Sequence, residues 1–319
     1  MTLPAAVHAA VERRVGAIRS VSPVGGGCIS ETYRVETGDG AIFLKHHPAA
    51  PDGFFAAEAD GLRALRAAAG DALRIPAVVA IDDGDDASRG DVENAEEDGG
   101  TSASPRLRVS PGGCWIALEW LEPGQRGRDF GERLGRGLAA LHRAGVAGGW
   151  GWERSNFIGA LPQENESAAT WAEFWRDRRL LPQLRLAAEA GRDTGPRGEW
   201  DRLFARLPWL LADVGHDAPS LLHGDLWGGN VLSASGDPAL IDPAVYRGHR
   251  EVDLAMTELF GGFDPRFYGA YAEAWPLRPG YREIRRDIYQ LYYLLAHVTL
   301  FGGGYGAQTL ATLRRVLAA

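Results

Sequence analysis

The sequence has few cysteines and lysines, and it contains no long uninterrupted apolar run. Only Cys28 and Cys114 are cysteine among 319 residues, and two thiols cannot build the disulfide framework of a small secreted domain. The longest apolar stretch, 291–301, contains His297 and is too short to span a bilayer. The N-terminus lacks an apolar segment of the signal-peptide type and carries Glu12 early. We therefore expect a soluble, cytoplasmic protein.

The chain is acidic, and its charge restricts the kinds of partner that we expect it to bind. The net charge is −8 and the pI is about 5.5, whereas proteins that bind nucleic acids or anionic membranes normally carry a basic patch. We expect neither kind of partner, and the sequence leaves monomer and homodimer open. A chain of 319 residues is long enough for one large domain or for two lobes.

Lysine is almost absent, and the single exception is informative. Of the 34 basic residues only Lys45 is lysine, at the end of the strand-like run 41–45. A lysine ammonium is a compact point charge, unlike the planar arginine fork, so the two differ where a side chain reaches between phosphates. The register of Lys45 suits the lysine of kinase strand β3. The alternative is a surface lysine with no special role.

A glutamate in the following helical segment is the natural partner of that lysine. In the segment 54–68 the apolar residues recur at helical spacing, and a step of about 100° per residue puts Glu58 inside the apolar stripe. A carboxylate that faces a core is costly unless it is paired. We predict a Lys45–Glu58 ion pair, as in kinases. The alternative is that Glu58 reaches solvent at the edge of the stripe.

The segment that begins at His223 reads HGDLWGGNVLSASGDPALIDPA and has the order of a phosphotransfer site. Asp225 is followed five residues later by Asn230, and Asp242 comes after the apolar run 239–241. In kinases an Asp at the first position meets the acceptor hydroxyl, and the Asn and the second Asp hold Mg²⁺. A single Asp-Gly pair would indicate only a turn, but the ordered set predicts phosphoryl transfer.

Two further segments are candidates for nucleotide contact. A glycine cluster precedes the strand-like segment 33–35, and its residues are Gly25, Gly26, Gly27, Cys28, Ile29 and Ser30. Glycines let backbone N–H groups approach phosphates closely. A plain turn is an equally compatible interpretation. The strand-like segment 115–121 enters a turn where the hinge of a kinase-like fold would contact adenine. Glu119 and Leu121 of this segment are therefore candidate nucleotide-binding residues.

Cys28 lies in the glycine cluster. If that cluster covers the nucleotide, oxidation of Cys28 would block ATP binding; the alternative is a buried, inert thiol.

Residues around the catalytic segment have predicted supporting roles. Trp227 could stack on a sugar, or it could belong to the core. His249 and Arg247 are either substrate contacts or solvated loop residues. We expect His223 to brace the loop rather than carry a proton, and Asp253 to anchor the loop from below.

The pattern of elements predicts an α+β, bilobal fold of the protein-kinase type. Residues 1–121 alternate short strand-like runs with one helix and would form an antiparallel nucleotide-binding lobe. Residues 122–319 are mainly helical in pattern and would form the catalytic and substrate-binding lobe. The acidic segment 82–111 has little apolar content and is predicted to be a mobile insertion. A mobile insertion of this kind would leave the chemistry unchanged.

In these residues the chain resembles the fructosamine kinase (ketosamine 3-kinase) family, whose kinase-like fold is shared with aminoglycoside phosphotransferases and choline kinases. The resemblance covers nearly the whole chain, and its most specific part is DLWGGN followed by IDPAVYRGH. It implies ATP- and Mg²⁺-dependent phosphorylation of the sugar O3 of ketosamines, either small molecules or glycated proteins, which leads to deglycation.

The resemblance also implies a role for each site residue. Asp225 would accept the O3 proton, Asn230 and Asp242 would hold Mg²⁺, and Lys45, fixed by Glu58, would position the phosphates. Two alternatives stay open. One is a kinase of the same fold that acts on choline, an aminoglycoside or a similar alcohol, and the other is a non-catalytic pseudokinase.

Overall fold

A computed structural model describes residues 2–25, 29–83, 113–146 and 148–319. The chain forms two compact units, the first Met1–Asp60 with Ala77–Leu121 and the second Gly61–Pro76 with Glu122–Ala319. Three residues of the predicted glycine cluster, Gly26, Gly27 and Cys28, lie outside the described residues. So does most of the predicted insertion.

The first unit is built on a five-stranded antiparallel sheet with the order β1-β2-β3-β5-β4. Its elements are α1 (Ala5–Val15), β1 (Ile18–Pro23), β2 (Glu31–Thr37), β3 (Gly40–His47), β4 (Val78–Asp82) and β5 (Cys114–Glu119). Alternating residues of β2 and β3, such as Val35 and Leu44, are buried against Val7 and Val11 of α1. The antiparallel N-terminal sheet agrees with the expected fold class.

Helix α2 (Phe54–Ala69) forms because its apolar residues share one face. Phe55, Ala59, Leu62 and Leu65 are fully buried. The first N–H groups of a helix lack intrahelical acceptors, and the carboxylate of Asp83 accepts from two of them, those of Phe55 at 3.1 Å and Ala56 at 2.7 Å. Asp83 is thus fixed by α2, although the mobile insertion was predicted to begin at residue 82. The boundary between the units falls inside α2, between residues 60 and 61.

The second unit is mainly helical, with three short antiparallel ribbons. Its helices are α3 (Phe130–Ala144), α4 (Trp171–Phe174), α5 (Leu181–Glu189), α6 (Arg197–Leu210), α7 (Glu251–Leu259), α8 (Pro265–Ala274), α9 (Arg286–Phe301) and α10 (Tyr305–Ala318). Its strands are β6 (Asn156–Ile158), β7 (Leu161–Gln163), β8 (Ser220–Leu222), β9 (Val231–Ala234), β10 (Asp237–Leu240) and β11 (Tyr246–Gly248). Two π-helical segments, Trp175–Leu180 and Tyr281–Arg285, precede α5 and α9.

An aromatic core holds the second unit together around α9. Trp171 and Trp175 pack with ring centroids 5.4 Å apart, and Tyr289 of α9 lies 5.0 Å from Trp175. Such tilted and edge-on pairs stabilise the fold beyond the contribution of their buried apolar area.

Of the helices in the described ranges, none is both long and apolar enough to cross a membrane.

Candidate active site

The candidate catalytic loop, residues 223–230, follows the short strand β8 and lies beside the segment that precedes β11. Strands β8 and β11 pair antiparallel, with Leu222 opposite Tyr246. Gly224 has φ +82°, and a Cβ at this position would lie 2.0 Å from the carbonyl oxygen of Ala244. Both the left-handed backbone and the lack of space require glycine. The glycine of the HGD sequence therefore lets two site segments approach closely.

Asp253 of α7 anchors the catalytic loop, as predicted. Its buried carboxylate accepts the backbone N–H of His223 at 2.7 Å and that of Gly224 at 2.9 Å. His142 of α3 lies 3.1 Å from the same carboxylate through Nε2. Burial acts to raise the pKa of Asp253, but the hydrogen bonds from His142 and from the Gly224 N–H oppose it, and the pKa is lowered. The carboxylate therefore stays ionised and fixes the loop backbone.

His223 is a structural residue in this geometry. Its Nδ1 accepts the N–H of Asp225 at 3.3 Å, so Nε2 carries the proton and donates to the carbonyl of Ile241 at 2.9 Å. Burial lowers the pKa of His223, which keeps the ring neutral with both nitrogens in use. The side chain links the catalytic loop to the residue before Asp242, in agreement with the predicted bracing role.

Asn230 joins the two candidate acidic residues. Its amide nitrogen donates to the carbonyl of Asp225 at 2.8 Å, to Asp225 Oδ2 at 3.2 Å and to the carbonyl of Asp242 at 3.3 Å. Asp242 itself has φ +55°, a left-handed conformation in which non-glycine residues are uncommon and aspartate is enriched. The sequence order Asp, Asn, Asp is thus converted into one compact cluster.

Asp225 is the titratable group with the most unusual environment in this cluster. Burial raises its pKa to about 7, and the negative charge of Asp242 adds to the increase, while the hydrogen bond from Asn230 opposes it. A carboxyl group with a pKa near neutrality can accept a proton during reaction and release it afterwards. This position therefore suits a general base.

The donor atoms of Asn230 and Asp242 fit a magnesium ion. Mg²⁺ prefers oxygen ligands and is usually held by one or two carboxylates together with substrate phosphates. Because the amide nitrogen of Asn230 makes the three hydrogen bonds described above, its Oδ1 is the atom that can face a cation. Within the described ranges no group of three or more His, Cys, Asp or Glu side chains could hold a metal. Asn230 and Asp242 would supply two of the oxygen ligands of a magnesium ion, and the phosphates of a nucleotide would supply others.

The first unit contains the predicted lysine–glutamate pair. Lys45 Nζ lies 2.6 Å from Glu58 Oε1, and both side chains are largely buried. Lys45 is in β3, where it pairs with Thr32 of β2 and Ile116 of β5. A buried ion pair fixes the position of an ammonium but is weak evidence for stability. The prediction that Glu58 lies within the apolar stripe and meets Lys45 is confirmed.

The described part of the glycine cluster lies between β1 and β2. Gly25 is exposed, the side chain of Ile29 is exposed and that of Ser30 is partly buried. The ends of this connection are tied by Thr32, whose hydroxyl donates to the carbonyl of Val24 at 2.6 Å and whose carbonyl accepts the Val24 N–H at 2.9 Å. Nucleotide contact by these residues stays a prediction.

The predicted hinge residues lie at the end of β5, with Glu119 its last residue and Leu121 two residues beyond it. The Glu119 side chain accepts the N–H of Ala77 at 3.0 Å, and the Glu119 N–H donates to the carbonyl of Ala77 at 2.8 Å. Leu121 is partly buried and is the last residue of the first unit. Glu119 thus holds the chain that enters β4, while its proposed backbone contact with adenine stays a prediction.

The two predicted substrate residues have different environments. The ring of Trp227 is 39% exposed and lies over Gly229, where an added Cβ would come within 2.3 Å of the indole. It is therefore a surface aromatic beside Asp225 and not a core residue. His249 is only 1% exposed and lies 3.3 Å from Asp217 and 3.1 Å from the Tyr289 hydroxyl. The alternative that His249 is a solvated loop residue is wrong, and its burial leaves little surface for a substrate.

Several supporting residues were not anticipated from the sequence. Gln163 Nε2 donates to the carbonyl of Ala244 at 3.1 Å, and Asn156 Nδ2 donates to that of Val245 at 2.8 Å. These buried amides hold the backbone two and three residues after Asp242. Tyr293 of α9 donates its hydroxyl to the carbonyl of Gly224 at 2.9 Å. The sequence signal for Tyr293 is a hydroxyl-bearing residue inside a mostly apolar helical run. That signal indicates that the hydroxyl needs a partner, but it does not identify the Gly224 carbonyl.

Comparison with known proteins identifies close relatives over the full length of the chain. The family model for fructosamine kinase matches residues 2–319. A Synechocystis protein named probable ketoamine kinase is 39% identical over 306 residues, which are 95% of this chain and 91% of that protein. The chloroplastic protein-ribulosamine 3-kinase of Arabidopsis thaliana is 33% identical over 305 residues, which are 95% of this chain and 84% of that protein.

Solved structures give the same result at the level of the fold. A crystal structure from Thermobifida fusca, of a protein assigned to the fructosamine-3-kinases, has a TM-score of 0.79 and 35% identity, covering 98% of this chain and 99% of that one. An aminoglycoside phosphotransferase in complex with ADP and hygromycin B has a TM-score of 0.60 with 14% identity, covering 97% and 98%. The second similarity shows only that the α+β, kinase-like fold is shared.

Proposed function

Since the chain belongs to the fructosamine kinase family and is an ATP-dependent kinase, we propose that it phosphorylates the sugar O3 of ketosamines. Ketosamines are the adducts that form when a reducing sugar condenses with an amine and rearranges. The observation that carries the proposal is the cluster of Asp225, Asn230 and Asp242, in which the Asn230 amide donates to the Asp225 carboxylate at 3.2 Å and to the backbone carbonyl of Asp242 at 3.3 Å. Burial and the negative charge of Asp242 raise the pKa of the Asp225 carboxyl to about 7. The relatives named for ribulosamine and ketoamine substrates support the choice of acceptor.

The reaction would use Asp225 as the base. Its carboxylate orients the O3 hydroxyl and accepts the O3 proton as that oxygen bonds to the γ-phosphorus of ATP, and the bond to the β–γ bridging oxygen breaks to leave ADP. Asp253 and His223 keep the loop backbone fixed, so the carboxylate needs no rearrangement at the moment of transfer. Alignment of this kind supplies a large part of the rate in phosphoryl transfer.

Two further groups would handle the charge of the nucleotide. Asn230 Oδ1 and the Asp242 carboxylate would hold a magnesium ion, which neutralises phosphate charge when bound. The Lys45 ammonium, held by Glu58 at 2.6 Å, would contact the phosphates, and Gly25 to Ser30 would cover them. The exposed ring of Trp227 would stack on the sugar.

The product explains a role in deglycation. A ketosamine 3-phosphate is unstable and loses its amine, so phosphorylation would release an unmodified amine from a glycated one. The amine could be a small molecule or a lysine side chain of a glycated protein. Phosphorylation at O3 is therefore the first step of repair.

The proposal can be tested by incubating the protein with Mg-ATP and a mixture of ribulosyl-lysine and fructosyl-lysine, followed by mass spectrometry. We expect a mass gain of one phosphate on at least one substrate, and then free lysine. Asp225→Asn is the matched control, because it keeps the size of the side chain and removes the base. A parallel panel of choline and an aminoglycoside covers the other acceptors of this fold. Phosphate on either of these, with none on the ketosamines, would overturn the proposal.

A further inference from the structure

One face of α9 leads from the catalytic loop to the protein surface. Tyr293, His297 and Phe301 are spaced by four residues, so they lie above one another on a helix. Tyr293 is buried and donates its hydroxyl to the carbonyl of Gly224, the residue before Asp225. His297 is partly buried and its Nδ1 donates to the carbonyl of Tyr293 at 2.8 Å. Phe301, at the outer end, is 59% exposed.

The outer part of this face belongs to an aromatic patch of four residues, namely Phe260, His297, Phe301 and Tyr305. The His297 ring is at its centre, with centroid distances of 4.6 Å to Phe260, 5.4 Å to Phe301 and 5.0 Å to Tyr305. Phe260 is 38% exposed. The patch is thus a preformed group of rings that is open to solvent on one side.

A second connection ties the aromatic patch to the catalytic loop. The two glycines after Phe260 approach Gly228 of that loop, because a Cβ on Gly228 would lie 3.7 Å from the carbonyl oxygen of Gly261, and one on Gly262 would lie 3.9 Å from the Gly228 Cα. Gly228 follows the exposed Trp227 directly. The patch is therefore continuous with the catalytic loop through α9 and also through residues 260–262.

The chemistry of the patch matches one half of a ketosamine. The amine half is a secondary ammonium that carries an alkyl substituent, and aromatic faces attract such cations and pack against the attached CH₂ groups. Exposed apolar residues that adjoin a functional site usually mark a binding surface. We propose that the aromatic patch is the subsite for the amine half of the substrate, and that its outer ring, Phe301, selects for amines with an extended alkyl chain. This subsite rests on the ketosamine kinase activity proposed above.

The position of the rings along α9 predicts which substrates they affect. The sugar would be held beside Asp225 and the exposed Trp227, so the amine substituent would extend past Gly228 and residues 260–262 towards the exposed outer end of α9. A methylamine adduct would end before the outer turn of α9, whereas a lysine adduct would reach it. Phe301 should therefore contribute to binding of the longer substrate alone. An exposed cation–π or stacking contact corresponds to about a two- to fivefold change in affinity.

The test compares Phe301→Ala with wild type on ribulosyl-methylamine and on ribulosyl-Nα-acetyl-lysine. We expect KM for the lysine adduct to rise about two- to fivefold, with kcat unchanged and both constants unchanged for the methylamine adduct. Phe301→Tyr should restore the lower KM. Trp209→Ala is the control, because Trp209 is 72% exposed on α6, and it should change neither substrate. Thermal melting of each variant checks that the fold is intact.

The possible outcomes separate the subsite from the activity. Equal effects of Phe301→Ala on both adducts, or none on either, would overturn the subsite while the activity stands. A change in elution volume on size-exclusion chromatography, with both adducts equally affected, would assign the patch to contact between two copies of the chain and would also overturn it. Absence of turnover on both adducts by the wild type would overturn the proposed activity and the subsite together.

Discussion

Replacement of Asp225 by asparagine should abolish turnover and at the same time stabilise the protein. The raised pKa of Asp225, about 7, arises because burial and the charge of Asp242 disfavour its ionised form. In the unfolded chain an aspartate has a pKa of about 3.9. Between these two values the folded state binds a proton that the unfolded state has lost, so the contribution of Asp225 to stability falls as pH rises. Asparagine is neutral at every pH and avoids that loss.

The magnitude follows from the distance between the two pKa values. Each unit of pKa difference corresponds to about 1.36 kcal/mol, so the titration of Asp225 lowers the free energy of unfolding by about 4 kcal/mol above pH 7. At pH 5, where the unfolded chain is ionised and the folded state is not, the loss is about 1 to 2 kcal/mol. The substitution weakens one hydrogen bond with Asn230, worth about 1 kcal/mol. We therefore expect Asp225→Asn to be more stable by roughly 3 kcal/mol at pH 8.5 and nearly equal to wild type at pH 5.

Urea unfolding monitored by tryptophan fluorescence at pH 5, 7 and 8.5 measures this difference. The control is Asp201→Asn, since Asp201 is an exposed residue paired with Arg197 on α6 and surface pairs contribute little. The reasoning is refuted if the stability gain of Asp225→Asn is the same at pH 5 and pH 8.5. It is also refuted if the variant is less stable than wild type at pH 8.5.

Three other perturbations have clear expected results. Because the base must be ionised, kcat/KM should fall about tenfold per pH unit below the Asp225 pKa of about 7; a flat profile from pH 5 to 8 would exclude this base. Gly224→Ala should cost more than about 3 kcal/mol in urea unfolding, since it combines a left-handed backbone with a close contact to the Ala244 carbonyl, whereas Gly198→Ala, with open space around it, should cost little. Glu58→Gln removes the 2.6 Å partner of the Lys45 ammonium, so KM for ATP should rise about tenfold or more while KM for the ketosamine changes little; an unchanged KM for ATP would argue against a role for this pair in nucleotide binding.

The site elements that could be predicted are those whose partners are close in sequence or fixed by a pattern. The Lys45–Glu58 pair followed from strand and helix periodicity, because a carboxylate inside an apolar stripe needs a partner and one lysine was available. The anchoring role of Asp253 could be predicted from its place at the start of a helix after the catalytic segment. In both cases the type of residue and its position restricted the physical options.

The unpredicted parts depend on contacts between residues far apart in the chain. Asn156 and Gln163 lie on the three-residue strands β6 and β7, which are too short for a periodic signal, and they bind carbonyls 89 and 81 residues later. The sequence leaves His249 open between a substrate contact and a solvated loop residue, whereas the structure encloses it between Tyr289 and Asp217 from distant segments. Burial of a polar group is decided by such tertiary partners, which sequence pattern does not contain.

The most direct test of the central claim is the position of the transferred phosphate. Proton–phosphorus correlation NMR on ribulosyl-lysine treated with the wild-type protein and Mg-ATP identifies the hydroxyl that is modified, and later spectra follow the release of free lysine. We predict phosphorus coupling to the proton on C3, followed by the appearance of lysine, and no signal with Asp225→Asn. Phosphate on another hydroxyl, or undiminished transfer by Asp225→Asn, would contradict an O3 kinase that uses Asp225 as its base.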